Sequence, residues 1–322
     1  MTKIFVLGGT GFLGYHIILE LLTRGYSVRT LSRSPMPIKD LLPKEVEFQA
    51  RDINDFSDDE LLTLLNDVDG FIHAAGADDR LLPKKPATTF YYEANVLPTQ
   101  RLVRLAKKAG VKSFVICGSY FAEFAERMPE LELQKQPYIR NRLLQEQIGF
   151  AEGEGEMKVT SLRLPYIFGT MPGRLPFWKI VVDQIYGKEM FPALKGGTAM
   201  VTVQQVAQAA VGACEKGKHR KTYALGDTNM KFVDFYQLIV NVLGQSAKTK
   251  ISLMDYQALK PAYEQMDAEA EKNNNEFGVN MKTIGLIQTF DFYLSPEETF
   301  SQLDVDRMDV KASIEETVKK SM

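Results

Sequence analysis

The chain has 322 residues, a length that suits two domains or one large α/β unit with an appended lobe. Apolar residues make up 45% and charged residues 25%, as in ordinary globular proteins. The formal net charge of −2 lacks the basic excess of a nucleic-acid-binding protein, so we expect no nucleic-acid partner.

The two cysteines, Cys117 and Cys214, lie far apart inside apolar runs, which favours buried thiols in a reducing compartment. The first apolar run is too short for a signal peptide, and no run reaches about 18 apolar residues. We therefore expect a cytoplasmic protein with no membrane span. His16, His73 and His219 have no carboxylate or thiol at ligand spacing, so we predict no metal site.

Short apolar runs alternate with helical patterns in the first half of the chain, which is typical of a parallel sheet wrapped by helices. The predicted strands cover residues 3–7, 27–32, 45–50, 70–74, 113–117 and 158–163. The predicted helices between them cover residues 12–23, 58–65, 89–109 and 137–151. The pattern predicts an α/β fold with a Rossmann-type, doubly wound sheet of six parallel strands.

After residue 163 the alternation becomes irregular, so we predict a nucleotide-binding domain over 1–163 and a smaller lobe over 164–322. The lobe is expected to be mainly helical, with two strands and a loop over 270–278. Its predicted helices cover residues 203–216, 232–243, 295–303 and 309–320. The segment 201–216 is a candidate for packing back on the first domain.

A glycine-rich motif, "VLGGTGFLG", follows the first strand and opens the first helix. Glycines at this junction let the turn tighten and let the backbone approach a pyrophosphate. The helix amino terminus adds free N–H groups and partial positive charge. The motif therefore predicts a dinucleotide site that includes Gly8, Thr10, Gly11, Phe12, Leu13 and Gly14.

The end of the second strand discriminates between cofactors. An acidic residue there would bind the ribose hydroxyls of NAD, whereas an arginine accommodates the 2′-phosphate of NADP. The chain offers Ser32 and Arg33 in "VRTLSRSP", and no acid competes with them. NADP is favoured and NAD stays possible; the alternative is that Arg33 is a solvated residue at a strand end.

The order and spacing of several motifs resemble the extended short-chain dehydrogenase/reductases, of the NAD-dependent epimerase/dehydratase type. They are "GGTGFLG", "ARDIND", "DVDGFIHAAG", "YEANV", "FVICGS", "YIRNR" and "LRLPYIFG", and the likeness continues into "VTVQQVAQAAVGACEKG". Two of them, "VRTLSRSP" and "FVICGS", look most like the dihydroflavonol-reductase-like branch. The resemblance covers nearly the whole chain.

The resemblance implies further cofactor contacts. Asp52 and Ile53 are expected to bind the adenine, and the turn at Ala74, Ala75 and Gly76 is expected to lie along the cofactor. Asn95 is expected to order the backbone of the site. Pro165 and Ile167 are expected to contact the nicotinamide. His73 is expected to be packed in this turn rather than catalytic.

The family's chemistry uses a serine or threonine with Tyr-x-x-x-Lys, and the resemblance implies Ser119 as the polarising hydroxyl and Tyr138 as the acid/base. Arg142 stands where the pattern has lysine. Arginine keeps the charge that binds ribose and stabilises phenolate, but it stays protonated and is poorly suited to relay a proton. Whether the pair supports turnover is therefore open.

Three functions follow as hypotheses: an NADP(H)-dependent oxidoreductase acting on a small carbonyl or secondary alcohol, a nucleotide-sugar epimerase or dehydratase, and a non-catalytic NADP-binding redox sensor or scaffold. The epimerase would need cations for a pyrophosphate, and Arg174, Lys179 and Lys188 are candidates. The sensor is favoured by Arg142.

Other residues could contact a small-molecule substrate. Asp78 and Asp79 lie in a loop expected at the carboxyl ends of the strands, although a solvated loop is an equal alternative. Aromatic residues that wall a pocket or simply fill the core are Tyr120, Phe121, Phe124, Phe168, Phe177 and Trp178. We predict a homodimer through the helices at 89–109 and 137–151, with a monomer as the alternative.

Overall fold

The structure is a computed structural model that describes residues 2–33 and 35–322. The strands are β1 Lys3–Leu7, β2 Ser27–Ser32, β3 Glu47–Ala50, β4 Gly70–His73, β5 Ser113–Ser119, β6 Lys158–Leu164, β7 Tyr166–Phe168, β8 Met190–Ala193, β9 Gly197–Thr202, β10 Thr222–Ala224, β11 Thr228–Lys231, β12 Lys250–Leu253 and β13 Asp291–Phe292.

The helices are α1 Phe12–Thr23, α2 Asp58–Leu65, α3 Ala87–Tyr91, α4 Leu97–Lys108, α5 Tyr120–Arg127, α6 Pro137–Glu152, α7 Lys179–Ile185, α8 Val203–Lys216, α9 Phe232–Val242, α10 Tyr256–Lys272, α11 Met281–Ile287, α12 Pro296–Leu303 and α13 Val310–Ser321. A π-helical segment, Tyr92–Val96, joins α3 to α4.

Seven strands form the main sheet in the order β10-β6-β5-β4-β1-β2-β3, and every neighbouring pair is parallel. This order confirms the doubly wound α/β fold. The order in which strands are added to the sheet reverses between β1 and β4, and ligands bind at the carboxyl ends of strands at such a switch point. The predicted sheet of six strands was one strand short, because β10 has only three residues and shows no periodicity.

The two faces of the sheet are covered by different helices. Helices α1 and α8 pack on each other and share one apolar cluster with the sheet. Helices α2, α4 and α6 contribute to a second cluster on the other face. Strand β10 and helix α8 lie beyond residue 163, yet β10 joins the main sheet and α8 packs on α1. The domain boundary at 163 stays a prediction.

The second lobe contains more strands than the two that the sequence indicates. Strands β7, β9, β11 and β13 form one small sheet, and β8 pairs with β12. The predicted loop at 270–278 is partly wrong, because α10 continues to Lys272. Among the described residues, none of the helices is both long and apolar enough to cross a membrane.

Candidate active site

The glycine-rich loop forms a tight cradle between β1 and α1. Gly8 has φ of +95°, and its carbonyl oxygen accepts a hydrogen bond of 2.9 Å from the Gly11 N–H. A Cβ atom on Gly14 would lie 2.2 Å from the same oxygen, so no larger residue fits there. The first-turn N–H groups of α1 have no partner within the helix. The cradle therefore fits a dinucleotide pyrophosphate.

Side chains of β2 hold this loop in place. The Gly9 N–H donates to Thr30 Oγ1 and the Thr10 N–H donates to Ser32 Oγ, each at 3.1 Å. The buried Ser32 hydroxyl thus supports the loop, a role that the sequence analysis did not assign, while the next side chain, Arg33, is exposed. Arg33 is therefore accessible to a cofactor phosphate.

The turn after β3 is ordered by Asp52. Its carboxylate accepts a hydrogen bond of 2.9 Å from the Asn54 N–H and caps the short helical turn Ile53–Asp55. Ile53 is buried, and the Arg51 guanidinium stacks 3.7 Å from the Phe56 ring centroid. The predicted adenine residues therefore lie in a defined turn at the carboxyl end of β3.

Asn95 fixes the turn that follows β4. Its side-chain amide, fully buried in the π-helical segment, donates to the Ala77 carbonyl at 2.9 Å and accepts from the Ala77 N–H at 2.8 Å. Gly76 has φ of +143°, and a Cβ atom there would lie 2.6 Å from Asn95 Oδ1. Ala74 packs against the same cluster as Leu13 of α1 and Ile167 of β7.

The turn between β6 and β7 brings the second lobe to the glycine-rich loop. Pro165 is buried there, and the Ile167 carbonyl accepts a hydrogen bond of 2.8 Å from the Trp178 indole. Phe12 reaches Gly169, where a Cβ atom would lie 3.5 Å from its ring. The predicted cofactor residues after β1, β4 and β6 thus lie close together at the carboxyl edge of the sheet, a place that we call the crevice.

Ser119 of β5 and Tyr138 of α6 lie close enough for the Ser119 hydroxyl to lower the pKa of the phenol. Ser119 ends β5 and caps α5, accepting from the Phe121 N–H at 3.3 Å. Tyr138 lies in the first turn of α6, where its N–H donates to the Gly278 carbonyl at 2.8 Å. Both side chains are buried. Helix α5, which directs Ser119, was not predicted.

Burial raises the pKa of Tyr138, and the Asp79 carboxylate raises it further. The Arg142 charge and the Ser119 hydroxyl lower this pKa, but the net shift is upward. The phenol is therefore protonated at neutral pH, the state that donates a proton.

Arg142 is bound to protein acceptors. Its Nη1 donates to Gln145 Oε1 at 2.8 Å and to the Cys117 carbonyl at 3.4 Å, and its Nη2 donates to the Ala77 carbonyl at 3.1 Å. The guanidinium carbon lies 5.2 Å from the Tyr138 ring centroid. Its Nε is buried and has no hydrogen-bond partner among the described residues. The guanidinium is thus oriented beside Tyr138 by neutral groups.

A chain of neutral side chains supports Arg142 from behind. Gln145 Nε2 donates to Thr99 Oγ1 at 2.8 Å, and Thr99 lies 3.3 Å from His73 Nδ1. Burial lowers the pKa of His73 to about 4, and the Arg142 charge lowers it too, so the imidazole is neutral. His73 is packed in the core, as expected. The spacing of Gln145 three residues after Arg142 is the sequence signal for their contact.

A cluster of charged side chains around the buried Arg163, called the Arg163 cluster, links β6 to α5 and α6. It comprises Arg163, Glu123, Glu126 and Glu146. Arg163 binds Glu146 through two hydrogen bonds of 3.1 and 2.7 Å, and Glu146 also accepts from the Ser161 hydroxyl. Since α5 begins after Ser119 and α6 carries Tyr138, the cluster fixes the two helices that hold the candidate catalytic pair.

The loop after β4 carries two carboxylates in different environments. Asp78 pairs with Arg80, whose guanidinium stacks 3.9 Å from the Phe177 ring centroid. Burial raises the pKa of Asp79 to about 6, and the charge of Asp78 adds to this shift. Phe177 itself is 39% exposed, so it is a surface residue beside this loop and not a buried pocket wall.

The remaining aromatic candidates divide between two clusters. Tyr120, Phe121 and Phe124 are buried in one cluster with Tyr138. Phe168 and Trp178 stack 4.6 Å apart in another cluster within the second lobe.

Among the cations proposed for a nucleotide sugar, Lys179 pairs with Asp183 at 2.7 Å, and Arg174 and Lys188 are exposed. Within residues 2–33 and 35–322, no group of three or more histidine, cysteine or acidic side chains is arranged to hold a metal ion.

Comparison with known proteins identifies relatives. A family model described as the NAD dependent epimerase/dehydratase family matches residues 4–226. The chain is 31% identical over 118 residues to a putative dihydroflavonol 4-reductase of Synechocystis sp., covering 37% of this chain and 33% of the relative. It is 24% identical over 254 residues to the human sterol-4-alpha-carboxylate 3-dehydrogenase, decarboxylating, covering 74% and 65%. The chain thus spans 33 to 65% of these curated relatives.

The fold also matches a solved structure of MoeE5 in complex with UDP-glucuronic acid and NAD. The TM-score is 0.68 at 18% identity, over 99% of this chain and 100% of that chain. At this identity the likeness concerns the fold alone.

Proposed function

Because the chain belongs to the NAD dependent epimerase/dehydratase family, we propose that it is an NADP(H)-dependent oxidoreductase that reduces a small carbonyl compound to an alcohol. The observation that supports this proposal is the proximity of Ser119, at the carboxyl end of β5, and Tyr138, in the first turn of α6, two buried hydroxyl side chains. The reverse reaction, oxidation of a secondary alcohol, uses the same groups.

The residues of the crevice fit a dinucleotide. In our proposal the cradle from Gly8 to Gly14 holds the pyrophosphate, Asp52 and Ile53 hold the adenine, and Arg33 binds the 2′-phosphate. The turn Ala74–Gly76, ordered by Asn95, lies along the cofactor, and Pro165 and Ile167 flank the nicotinamide. The bound nicotinamide supplies the hydride.

The chain's own residues handle the proton. Tyr138 donates its phenolic proton to the carbonyl oxygen, and Ser119 orients that oxygen with a hydrogen bond. The raised pKa keeps the Tyr138 phenol protonated at neutral pH, so the proton that reduction requires is present. Arg142 supplies positive charge beside the phenolate that forms.

The test is NADPH oxidation with a panel of aldehydes and ketones. We expect turnover by the parent and a loss of about 10²- to 10⁴-fold in Tyr138→Phe. Tyr186→Phe is the matched control, because this tyrosine is 63% exposed. Parent-like turnover in Tyr138→Phe would refute the assignment.

Arg33 is tested through cofactor affinity. We expect Arg33→Ala to weaken NADP binding and to leave NAD binding nearly unchanged, since only NADP carries the 2′-phosphate. Arg104→Ala, a change to an exposed arginine of α4, is the control. A parent that prefers NAD would remove this role from Arg33.

A nucleotide-sugar epimerase is the second candidate, favoured by the description of the family as epimerase/dehydratase. Such an enzyme retains its cofactor through turnover, so nicotinamide should remain bound during purification. An epimerase also needs cations for the pyrophosphate, and Lys179 is already paired with Asp183. A purified protein free of nicotinamide would argue against this candidate.

A non-catalytic NADP-binding sensor is favoured by Arg142, whose guanidinium is held by protein carbonyls and Gln145. Carbonyl reduction that emerges only in Arg142→Lys would support the sensor. Reduction by the parent that falls in Tyr138→Phe would exclude it.

A further inference from the structure

Asp79 is a half-buried carboxylate that the proposed chemistry leaves unused. It lies on the loop after β4, at the carboxyl edge of the sheet. Its neighbour Asp78 is paired with Arg80, whereas the Asp79 carboxylate makes no hydrogen bond to another residue in the described part of the chain. An ionised carboxylate only accepts hydrogen bonds, and apart from its own backbone N–H this one has no donor among the described residues, so it can accept from a ligand.

The loop is held rigidly on both sides of this residue. Asn95 and Arg142 bind the backbone of Ala77, as described above. The Tyr91 hydroxyl lies 3.0 Å from the Asp78 carbonyl oxygen and 3.2 Å from that of Leu81. The Tyr91 ring packs edge-on against Tyr138, with centroids 5.3 Å apart. Asp79 is therefore presented from a fixed loop next to the candidate acid.

Asp79 lies near a group of tyrosines, since the carbonyl groups of Asp78 and Leu81 on either side of it contact the Tyr91 hydroxyl. Burial is the main reason that the pKa of each phenol is raised, and the Asp79 charge raises each further; they are Tyr91, Tyr120, Tyr138 and Tyr166. Three of them share one buried cluster with Ala77, and Tyr166 packs against it. The other charges that act on Asp79 are those of Asp78, Arg80 and Arg142.

We propose that Asp79 contacts the substrate and accepts a hydrogen bond from a hydroxyl or ammonium group close to the reacting carbonyl. This inference rests on the proposed function and specifies its substrate class: carbonyl compounds that carry a hydrogen-bond donor near the carbonyl. Aromatic rings beside a carboxylate suit an ammonium group as well as a hydroxyl, because ring faces attract cations. A plain hydrocarbon chain would leave the carboxylate without a donor.

Three probes of nearly equal size test the contact: hydroxyacetone, aminoacetone and butanone. We expect kcat/KM with NADPH to be about 10- to 100-fold higher for hydroxyacetone, aminoacetone or both than for butanone. This is the range that a hydrogen bond to a charged group contributes. Asp79→Ala should lose this preference. Asp79→Asn should lose the preference for aminoacetone but keep part of that for hydroxyacetone, which distinguishes the two donors.

Asp78→Asn is the matched comparison on the same loop and should retain the preference, because Arg80 already engages that side chain. Equal rates for the three ketones in the parent, or an unchanged preference in Asp79→Ala, would overturn the proposal. If the parent reduces none of the three ketones, Asp79 is tested by saturation-transfer NMR, while the proposed function is decided by the full panel of aldehydes and ketones. Binding of a donor ketone that Asp79→Ala abolishes supports the contact, and binding that it leaves unchanged overturns it.

Urea unfolding checks that the variants fold. The raised pKa of Asp79 means that the folded state disfavours its ionised form, and this cost is fully present above about pH 6 and is lost as the pH falls toward 4. Asp79→Asn should therefore unfold at a higher urea midpoint than the parent at pH 8, with a smaller difference at pH 5.

Discussion

Removal of Arg163 should destabilise the protein through one carboxylate in particular. In Arg163→Met, Glu146 keeps only the Ser161 hydroxyl and loses its counter-ion, and its side chain is 4% exposed. Leaving one partner of a buried pair uncompensated costs about 3–5 kcal/mol of unfolding free energy. Glu126 is 58% exposed and Glu123 lies at the edge of the cluster, so each adds at most about 1 kcal/mol.

The assay is urea unfolding at pH 7 of Arg163→Met, Glu146→Leu and the double variant. The double variant removes both buried charges, so we expect it to recover much of the loss, with a coupling energy of about 2–4 kcal/mol. Arg104→Met, at an exposed arginine, should change the unfolding free energy by less than about 0.5 kcal/mol. A cost below about 1 kcal/mol for Arg163→Met, or strictly additive losses, would refute this account.

Three further predictions concern the crevice. Gly14→Ala places a Cβ atom 2.2 Å from the Gly8 carbonyl oxygen, so it should cost about 1–3 kcal/mol in urea unfolding and weaken NADP binding; unchanged affinity would contradict the cradle. Asn95→Leu leaves the Ala77 N–H and carbonyl without their partner and should cost at least about 2 kcal/mol, whereas a neutral effect would contradict its bracing role. Because the pKa of His73 is lowered to about 4, the parent should lose up to about 3 kcal/mol as the pH falls from 6.5 to 4. In His73→Gln the unfolding free energy should fall less over this pH range. An equally large fall would show that other groups cause it.

Local sequence signals predicted the nucleotide-binding half well. The junction from β1 to α1 is specified by closely spaced glycines and a short apolar strand, so its bounds agree with the structure. The six strands predicted for the sheet are all present, although β3 starts at Glu47 and β5 extends to Ser119. The pairing of Ser119 with Tyr138 was inferred from family resemblance, since the two residues come from separate elements.

The contacts that the sequence did not reveal depend on distant segments. The Arg163 cluster joins three elements, and no local pattern links Arg163 to Glu123 or Glu146. The role of Ser32 in bracing Thr10 requires β2 to lie beside β1, which is known only once the sheet is formed. Short strands such as β13, with two residues, take their conformation from the neighbouring strand rather than from their own propensity.

The central claim is that hydride passes from the bound nicotinamide to a carbonyl substrate and that Tyr138 supplies the proton. The most direct measurement uses NADPH that carries two deuterium atoms at C4 of the nicotinamide, so that either face transfers label, with mass spectrometry of the alcohol formed from each carbonyl of the panel. Our account predicts one deuterium in the product of the parent and a rate reduced by about 10²-fold or more in Tyr138→Phe. A parent that binds NADPH and delivers no deuterium to any carbonyl would contradict it.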